Sequence, residues 1–231
     1  ATLTGDKTVK EADSKGVKAP TTKTPVQNTS SLTQPEKDAV KKAVEGANPS
    51  ATKVEVGTDG SATVTFPDGT TATLTGDKTV KEADSKGVKA PTTKTPVQNT
   101  SALTQPEKDA VKKAVEGANP SATKVEVGND GSATVMFPDG STATLTGDKT
   151  VKEADSKGVK APTTKTPVQN TSSLTQPEKD AVKKAVEGAN PSATKVEVGT
   201  DGSATVTFPD GTTATLTGDK TVKEADSKGV K

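Results

Sequence analysis

The sequence predicts a β-rich α+β fold, a tandem array of small domains, each an antiparallel meander packed with one short helix. Three observations predict it. The string Ala-Thr-Leu-Thr-Gly-Asp-Lys begins at Ala1, Ala72, Ala143 and Ala214, a constant spacing of 71 residues in a chain of 231. Within each copy, one segment carries apolar residues at helical spacing and the segment after it alternates apolar and polar residues. Glycine-bearing turn signals separate the alternating runs. A period of 71 is longer than the roughly 20–50 residues of solenoid repeats and long enough for a separate small domain. Separate beads are therefore expected rather than one large core.

The copies are nearly identical. The first and third match throughout, and the second differs only at Ala102 for Ser31, Asn129 for Thr58, Met136 for Thr65 and Ser141 for Thr70. Boundaries are expected near Lys18, Lys89 and Lys160, which gives domains 19–89, 90–160 and 161–231, with 1–18 as the tail of a truncated preceding repeat.

Each element of one repeat follows from local chemistry. Ala19-Pro20-Thr21-Thr22-Lys23-Thr24-Pro25 holds two prolines, which fix φ and bias the residues before them toward extended backbone, so it reads as a stiff connector. A short strand is expected around Val26. Thr33-Gln34-Pro35-Glu36 is a capping box with proline in the first turn, where its missing N–H has no helical partner to lose. Ala39, Val40, Ala43, Val44 and Ala47 then recur at helical spacing, and Gly46 with Asn48-Pro49 ends the helix after about three turns. The period then changes to two. Val54 and Val56 alternate with charges, Gly57-Thr58-Asp59-Gly60 turns the chain, and Ala62, Val64 and Phe66 continue the alternation. Pro67-Asp68-Gly69 is a second turn, Ala72 and Leu74 line a third strand, Gly76-Asp77 turns again, and Val80 is the candidate for a fourth.

An apolar helical stripe and an apolar sheet face are both covered when they pack together. The expected core is Val26, Leu32, Val40, Val44, Val54, Val56, Val64, Phe66, Leu74 and Val80. Later copies contribute Val111, Val115, Val135, Phe137, Val182, Val186, Val206 and Phe208. This core is thin. The first 71 residues hold only eight Val, two Leu and one Phe as large apolar residues.

Composition excludes much chemistry. There is no Cys, His, Trp or Tyr, and Phe occurs three times. Thiol chemistry, thiolate metal sites and the commonest general base are therefore absent, so no enzyme, no catalytic residue and no cofactor is expected. Each repeat balances nine lysines against nine carboxylates, and no arginine is present. Such a surface offers neither a basic stripe nor a stacking platform for nucleic acid, and no attraction to an anionic membrane. Asp59, Asp68 and Asp77 stand at turns that could approach one another, but no calcium-loop pattern surrounds them, and turn formation is their expected role. Capping and turn roles are likewise expected for Asn28 and Asn48, rather than an isopeptide crosslink to lysine. Asn28-Thr29-Ser30 matches an N-glycosylation pattern. Lys41 and Lys42, beside Glu36, Asp38 and Glu45, read as a solvated helix face.

Several of these motifs together carry a family resemblance. Thr24-Pro25-Val26, Leu32-Thr33-x-x-Glu36-Lys37, Ala43-Val44-x-x-Ala47-Asn48-Pro49, Asp59-Gly60 and Val64-Thr65-Phe66-Pro67-Asp68-Gly69 resemble the Rib/alpha-like repeats of Gram-positive cell-wall-anchored surface proteins. The resemblance covers every repeat. It implies a reduced immunoglobulin-like domain and an extracellular, wall-anchored location, with anchor and signal sequence outside this fragment. The implied role is a semi-rigid stalk that projects an adhesive domain. The alternative is that the repeats are themselves multivalent modules binding host matrix or like repeats on other cells. Neighbouring repeats in the same chain are the expected partners. Phe66 departs from the family pattern, which places Tyr before the Pro-Asp-Gly turn.

Overall fold

The computed structural model describes residues 9–226. Residues 1–8 of the stretch expected to be a truncated tail, 1–18, lie outside that range, as do the last five residues. Packing groups the chain into two units. The first is Ala1–Lys89 with Asn119–Val125 and Thr134–Ala143, and the second is Ala90–Ala118, Glu126–Ala133 and Thr144–Lys231. The first unit holds the whole first repeat, and the second holds the whole third.

In the first unit, a 3-10 turn at Asp13–Gly16 leads to β1 (Thr24–Val26), α1 (Gln34–Ala47), β2 (Lys53–Val56), β3 (Ala62–Thr65) and β4 (Thr71–Leu74). A one-turn helix, α2 (Gly76–Thr79), then leads into β5 (Val80–Glu82). Strands β2, β3 and β4 form the expected antiparallel meander, with Val54 opposite Val64 and Ala62 opposite Leu74. The fourth strand does not extend it. Strand β5 instead pairs in parallel with β1, in the register Thr24 to Val80, Pro25 to Lys81 and Val26 to Glu82. This corrects the expectation of a connector at Ala19–Pro25, because Pro25 stands inside a paired strand. Proline is tolerated there because β1 is half of a two-stranded sheet and has one free edge.

Helix α1 begins as the capping box requires. The Thr33 N–H and hydroxyl both donate to Glu36 Oε2 at 2.8 Å, and the other carboxylate oxygen accepts the Gln27 N–H at 2.8 Å. One glutamate thus fixes both the helix start and the end of β1. At the other end, the Asn48 N–H reaches Val44 O at 3.0 Å. The helix runs 14 residues, about a turn longer than expected, because Gly46 stays inside it.

The core is Val26, Leu32, Val40, Val44, Val54, Ala62, Val64, Phe66, Leu74 and Val80, drawn from both sheets and the helix. It differs from the expected set at one position. Val56, at the end of β2, is only partly buried and lies at the margin, while its cross-strand partner Ala62 is fully enclosed. Valine dominates because β-branched side chains fill a pleated, half-buried surface well.

In the second unit the third repeat repeats this arrangement. Its elements are β11 (Thr166–Val168), α5 (Gln176–Ala189), β12 (Lys195–Val198), β13 (Ala204–Thr207), β14 (Thr213–Leu216), α6 (Gly218–Thr221) and β15 (Val222–Glu224). Its core is Val168, Leu174, Val182, Val186, Val196, Ala204, Val206, Phe208, Leu216 and Val222.

The middle repeat supplies β6 (Thr95–Val97), α3 (Gln105–Ala118), β7 (Lys124–Val127), β8 (Ala133–Met136), β9 (Thr142–Leu145), α4 (Gly147–Thr150) and β10 (Val151–Glu153). Strand β10 again runs parallel to β6. The molecule is thus a β-rich α+β protein of three repeats, each with a three-stranded antiparallel sheet, a parallel strand pair and a helix.

Candidate functional site

A cluster of long-range polar contacts gathers where one copy of the repeated sequence gives way to the next. The segment from Ala83 to Lys89 makes a 3-10 turn at Asp84–Gly87, closed by the Lys86 N–H on Ala83 O at 3.1 Å and the Val88 N–H on Ser85 O at 3.2 Å. A turn this tight leaves the N–H groups of Asp84 and Ser85 without partners inside the segment. Both find acceptors ahead of them. The Asp84 N–H donates to Asp139 Oδ2 at 2.8 Å, and the Ser85 N–H to Ser141 Oγ at 3.0 Å. Behind them, the Ala83 N–H donates to Val26 O at 2.9 Å, and Gln27 Nε2 to Ser85 Oγ at 2.9 Å.

Asp139 belongs to the Pro-Asp-Gly turn between β8 and β9 and divides its carboxylate between two tasks. Oδ1 accepts the Ser141 N–H at 2.9 Å and hydroxyl at 2.6 Å, which shapes the turn; Oδ2 faces Asp84. Lys81 Nζ lies 3.7 Å from Oδ2, and the Asp139 side chain is 4% exposed. Burial pushes this carboxyl up, but the N–H of Asp84, the hydroxyl and N–H of Ser141 and the charge of Lys81 outweigh it, and the net shift is down.

A second fastening follows. Lys89 and Asn119 exchange two hydrogen bonds, the Lys89 N–H to Asn119 Oδ1 and Asn119 Nδ2 to Lys89 O, both 2.8 Å. The amide thereby acts as a substitute strand for one backbone residue.

The same constellation recurs in the second unit. The Asp155 N–H reaches Asp210 Oδ2 at 2.7 Å, and the Ser156 N–H reaches Thr212 Oγ1 at 3.1 Å. Gln98 Nε2 donates to Ser156 Oγ at 2.9 Å, and Lys160 exchanges two 2.8 Å bonds with Asn190. At the start of the described chain, Asp13 and Ser14 meet Asp68 and Thr70 at 2.8 and 3.1 Å, and Lys18 meets Asn48. The hydroxyl of Thr70 and the N–H of Asp13 hold the Asp68 carboxyl down at about 2. The Thr-to-Ser exchange at position 141 is explained here, because only the hydroxyl is used. Burial separates the internal positions from the first. Ser85 and Ser156 are each 2% exposed and Ala83 and Ala154 are buried, whereas Ala12 is exposed and Ser14 half-buried.

The other substitutions in the middle copy are peripheral. Asn129 accepts a 2.5 Å bond from Lys108 Nζ, Met136 stands on the outer face of β8, and nothing in the structure explains Ala102.

The remaining residues singled out in the sequence act locally. Asp59 Oδ1 accepts the Ser61 N–H at 3.0 Å and hydroxyl at 2.6 Å, and Asp77 accepts the Thr75 hydroxyl. Asp59 and Asp77 each serve their own turn, Asp68 serves its turn and also accepts the Asp13 N–H, and among the described residues no group of three or more acidic side chains is placed to hold a metal ion. Asn28 Oδ1 accepts the Ser30 N–H at 2.9 Å as an Asx turn. Asn48 is buried, and its Nδ2 bonds Lys18 O and Val44 O rather than facing a lysine amine. Lys41 pairs with Glu45 at 3.9 Å on the solvated face of α1.

No motif of known chemistry marks Asp-Ser-Lys-Gly in the sequence. Its one signal is exact recurrence at Asp13, Asp84, Asp155 and Asp226, one period apart and always followed by Val-Lys.

An atypical Rib domain model matches residues 15–83, 86–154 and 157–225. The chain belongs to the atypical Rib domain family. The family resemblance noted in the sequence is therefore correct, and the family is one of surface-protein repeats. No curated protein matches the chain. Among solved structures it is similar to the sialic acid binding region of a Streptococcus sanguinis SK1 adhesin bound to 3'sLn, at 25% identity and a TM-score of 0.32, over 90% of this chain and 66% of that one. It is also similar to the SrpA adhesin from Streptococcus sanguinis, at 30% identity and a TM-score of 0.30, over 40% of this chain and 49% of that one. The Rib array thus spans between 49% and 66% of the length of those chains. Among the described residues of the Rib repeats, no helix is long and apolar enough to cross a membrane.

Proposed function

We propose that this chain is the non-catalytic repeat region of a bacterial surface protein, a semi-rigid stalk that projects an adhesive domain from the cell wall. One observation carries the reading. Between Ala83 and Lys89 the backbone is hydrogen-bonded both to the strand pair behind it and to the Pro-Asp-Gly turn and Asn119 ahead of it, and the same bonds recur from Ala154 to Lys160. A flexible linker would leave these groups to water. With bead limits at 19–89, 90–160 and 161–231, each bead ends in a plug, Asp-Ser-Lys-Gly-Val-Lys, that seats on the next. Val17, from the equivalent plug, packs against the first core, as a plug seated on the bead ahead of it would.

Near-identical copies suit this task, since adding or removing one changes reach without redesigning a joint. The neutral, aromatic-poor surface also suits a spacer better than a binding face.

Small-angle scattering on arrays of two, three and four repeats tests the proposal. The maximum dimension should grow by about 30 Å or more per repeat. A size that grows only with the cube root of mass, or a random-coil profile, would sink it. The rival reading, multivalent adhesion, requires the purified array to bind host matrix or to self-associate with affinity rising steeply with copy number.

A further inference from the structure

We propose that the parallel strand pair at the two ends of each repeat is a mechanical clamp, so that every bead resists load applied along the chain. The inference rests on the stalk reading for its purpose and on topology for its mechanism. Strand β1 is the first strand of its bead and β5 the last, and they lie side by side in parallel over Thr24–Val26 and Val80–Glu82. Load on the chain pulls β1 from its N-terminal end and β5 from its C-terminal end. Because the strands are parallel, those ends lie at opposite ends of the pair, and the two forces slide one strand along the other. All the bonds of the pair are then loaded together. Had the strands been antiparallel, their loaded ends would lie together and the bonds would break singly, in succession.

The pair is reinforced where the load enters and leaves. Past its last register position the Ala83 N–H donates to Val26 O at 2.9 Å, and Gln27 Nε2 bonds Ser85 Oγ at 2.9 Å. The Gln27 N–H is tied to Glu36 at 2.8 Å, which fixes the end of β1 to the helix. On the entry side, Lys18 is held by two 2.8 Å bonds to Asn48. Val26 and Val80 are 1% and 4% exposed, so water reaches the ladder poorly from the core side. The parallel pair recurs as β6 with β10 and β11 with β15, with Ala154 to Val97 at 2.8 Å and Ala225 to Val168 at 3.0 Å.

Single-molecule pulling of the whole array by its termini tests the clamp, because forced unfolding reads the barrier rather than the equilibrium. Ala83 and Ala154 have φ of −67°, which proline adopts without strain, so Ala83→Pro with Ala154→Pro removes the bonding N–H while keeping the backbone path. The unfolding force of those two beads should fall several-fold and leave the third as a strong internal reference. A Val64→Ala change, in the core but outside the pair, should lower the melting temperature while leaving the force nearly unchanged. Direction supplies a check that needs no weakened variant. The chain has no cysteine, so Lys53→Cys with Thr65→Cys gives unique handles on paired residues of the antiparallel meander. Pulling there should open the bead at a force several-fold lower than pulling at the termini. Equal forces in the two directions, or proline variants as strong as the parent, overturn the clamp. Neither result would touch the stalk itself, which stands or falls on the scattering dimensions.

Discussion

Gly76 opens the one-turn helix before β5, and its α-carbon is so near the preceding hairpin that a β-carbon there would lie 2.1 Å from Asp59 O. A backbone carbonyl cannot swing aside as a side-chain tip can. Gly76→Ala, made also at Gly147 and Gly218, should therefore cost about 3 kcal/mol per repeat, read as a lower urea midpoint. A midpoint within error of the parent would mean that the hairpin yields easily. Thr79 illustrates a second constraint of this kind. Its side chain is fully buried, and the hydroxyl bonds Gly60 O at 2.5 Å and Gly76 O at 3.1 Å. Thr79→Val keeps the shape but leaves those carbonyls short of a donor, and should destabilise by about 1–2 kcal/mol. Neither role is legible in the sequence, where Gly76 reads as one more turn glycine and Thr79 as a polar residue beside Val80. Both depend on which segments the fold brings together.

At the scale of elements, the helix was read nearly whole because its determinants are local. Cap, stripe and stop lie within about four turns of one another. The same holds for the meander, whose turns fix register by themselves; Gly60 and Gly69 take φ of 78° and 80° as the hairpin readings require. The parallel pair was missed because its partners are 56 residues apart in register and its strands hold three residues each, too few for a period to show. The joint was missed for a similar reason. Asp139→Ala should free the N–H of Asp84, so that hydrogen exchange at Asp84 and Ser85 speeds up while exchange at Val64 stays slow. Asp139→Asn, which keeps an acceptor oxygen, should fall between. If exchange at Asp84 is already fast in the parent, the joint does not hold in solution.

Across the whole molecule, acidity should act in one direction. Asp68, Asp139 and Asp210, with Glu36, Glu107 and Glu178, all titrate below their ordinary values, from 3.8 for aspartate and 4.5 for glutamate. A carboxyl depressed by folding contributes stability that is present above its unfolded value and lost as pH falls through its folded one. With no histidine in the chain, the melting temperature should stay level from about pH 7 to 5 and decline from about pH 4.5 toward 2. A midpoint of loss near neutrality would contradict the depressed carboxyls. Near-identity adds a hazard. Because β5 and β15 have the same sequence, each finds an equally good partner in another bead's first strand during refolding. Repeated pulling and relaxation should show occasional unfolding steps of double length, and an unbroken series of single-bead steps would rule out exchange.

By itself the sequence determined the period, the helix, the meander and nine of the ten core positions, because capping, alternation and turn chemistry act between near neighbours and repeat three times without conflict. Tertiary structure alone decided that the last strand would return to the first, that Pro25 would stand inside a paired strand, and that the N–H groups of Asp84 and Ser85 would donate to Asp139 and Ser141. Those choices rest on backbone N–H groups that need acceptors more than fifty residues away, and a buried donor takes the acceptor that folding brings within reach.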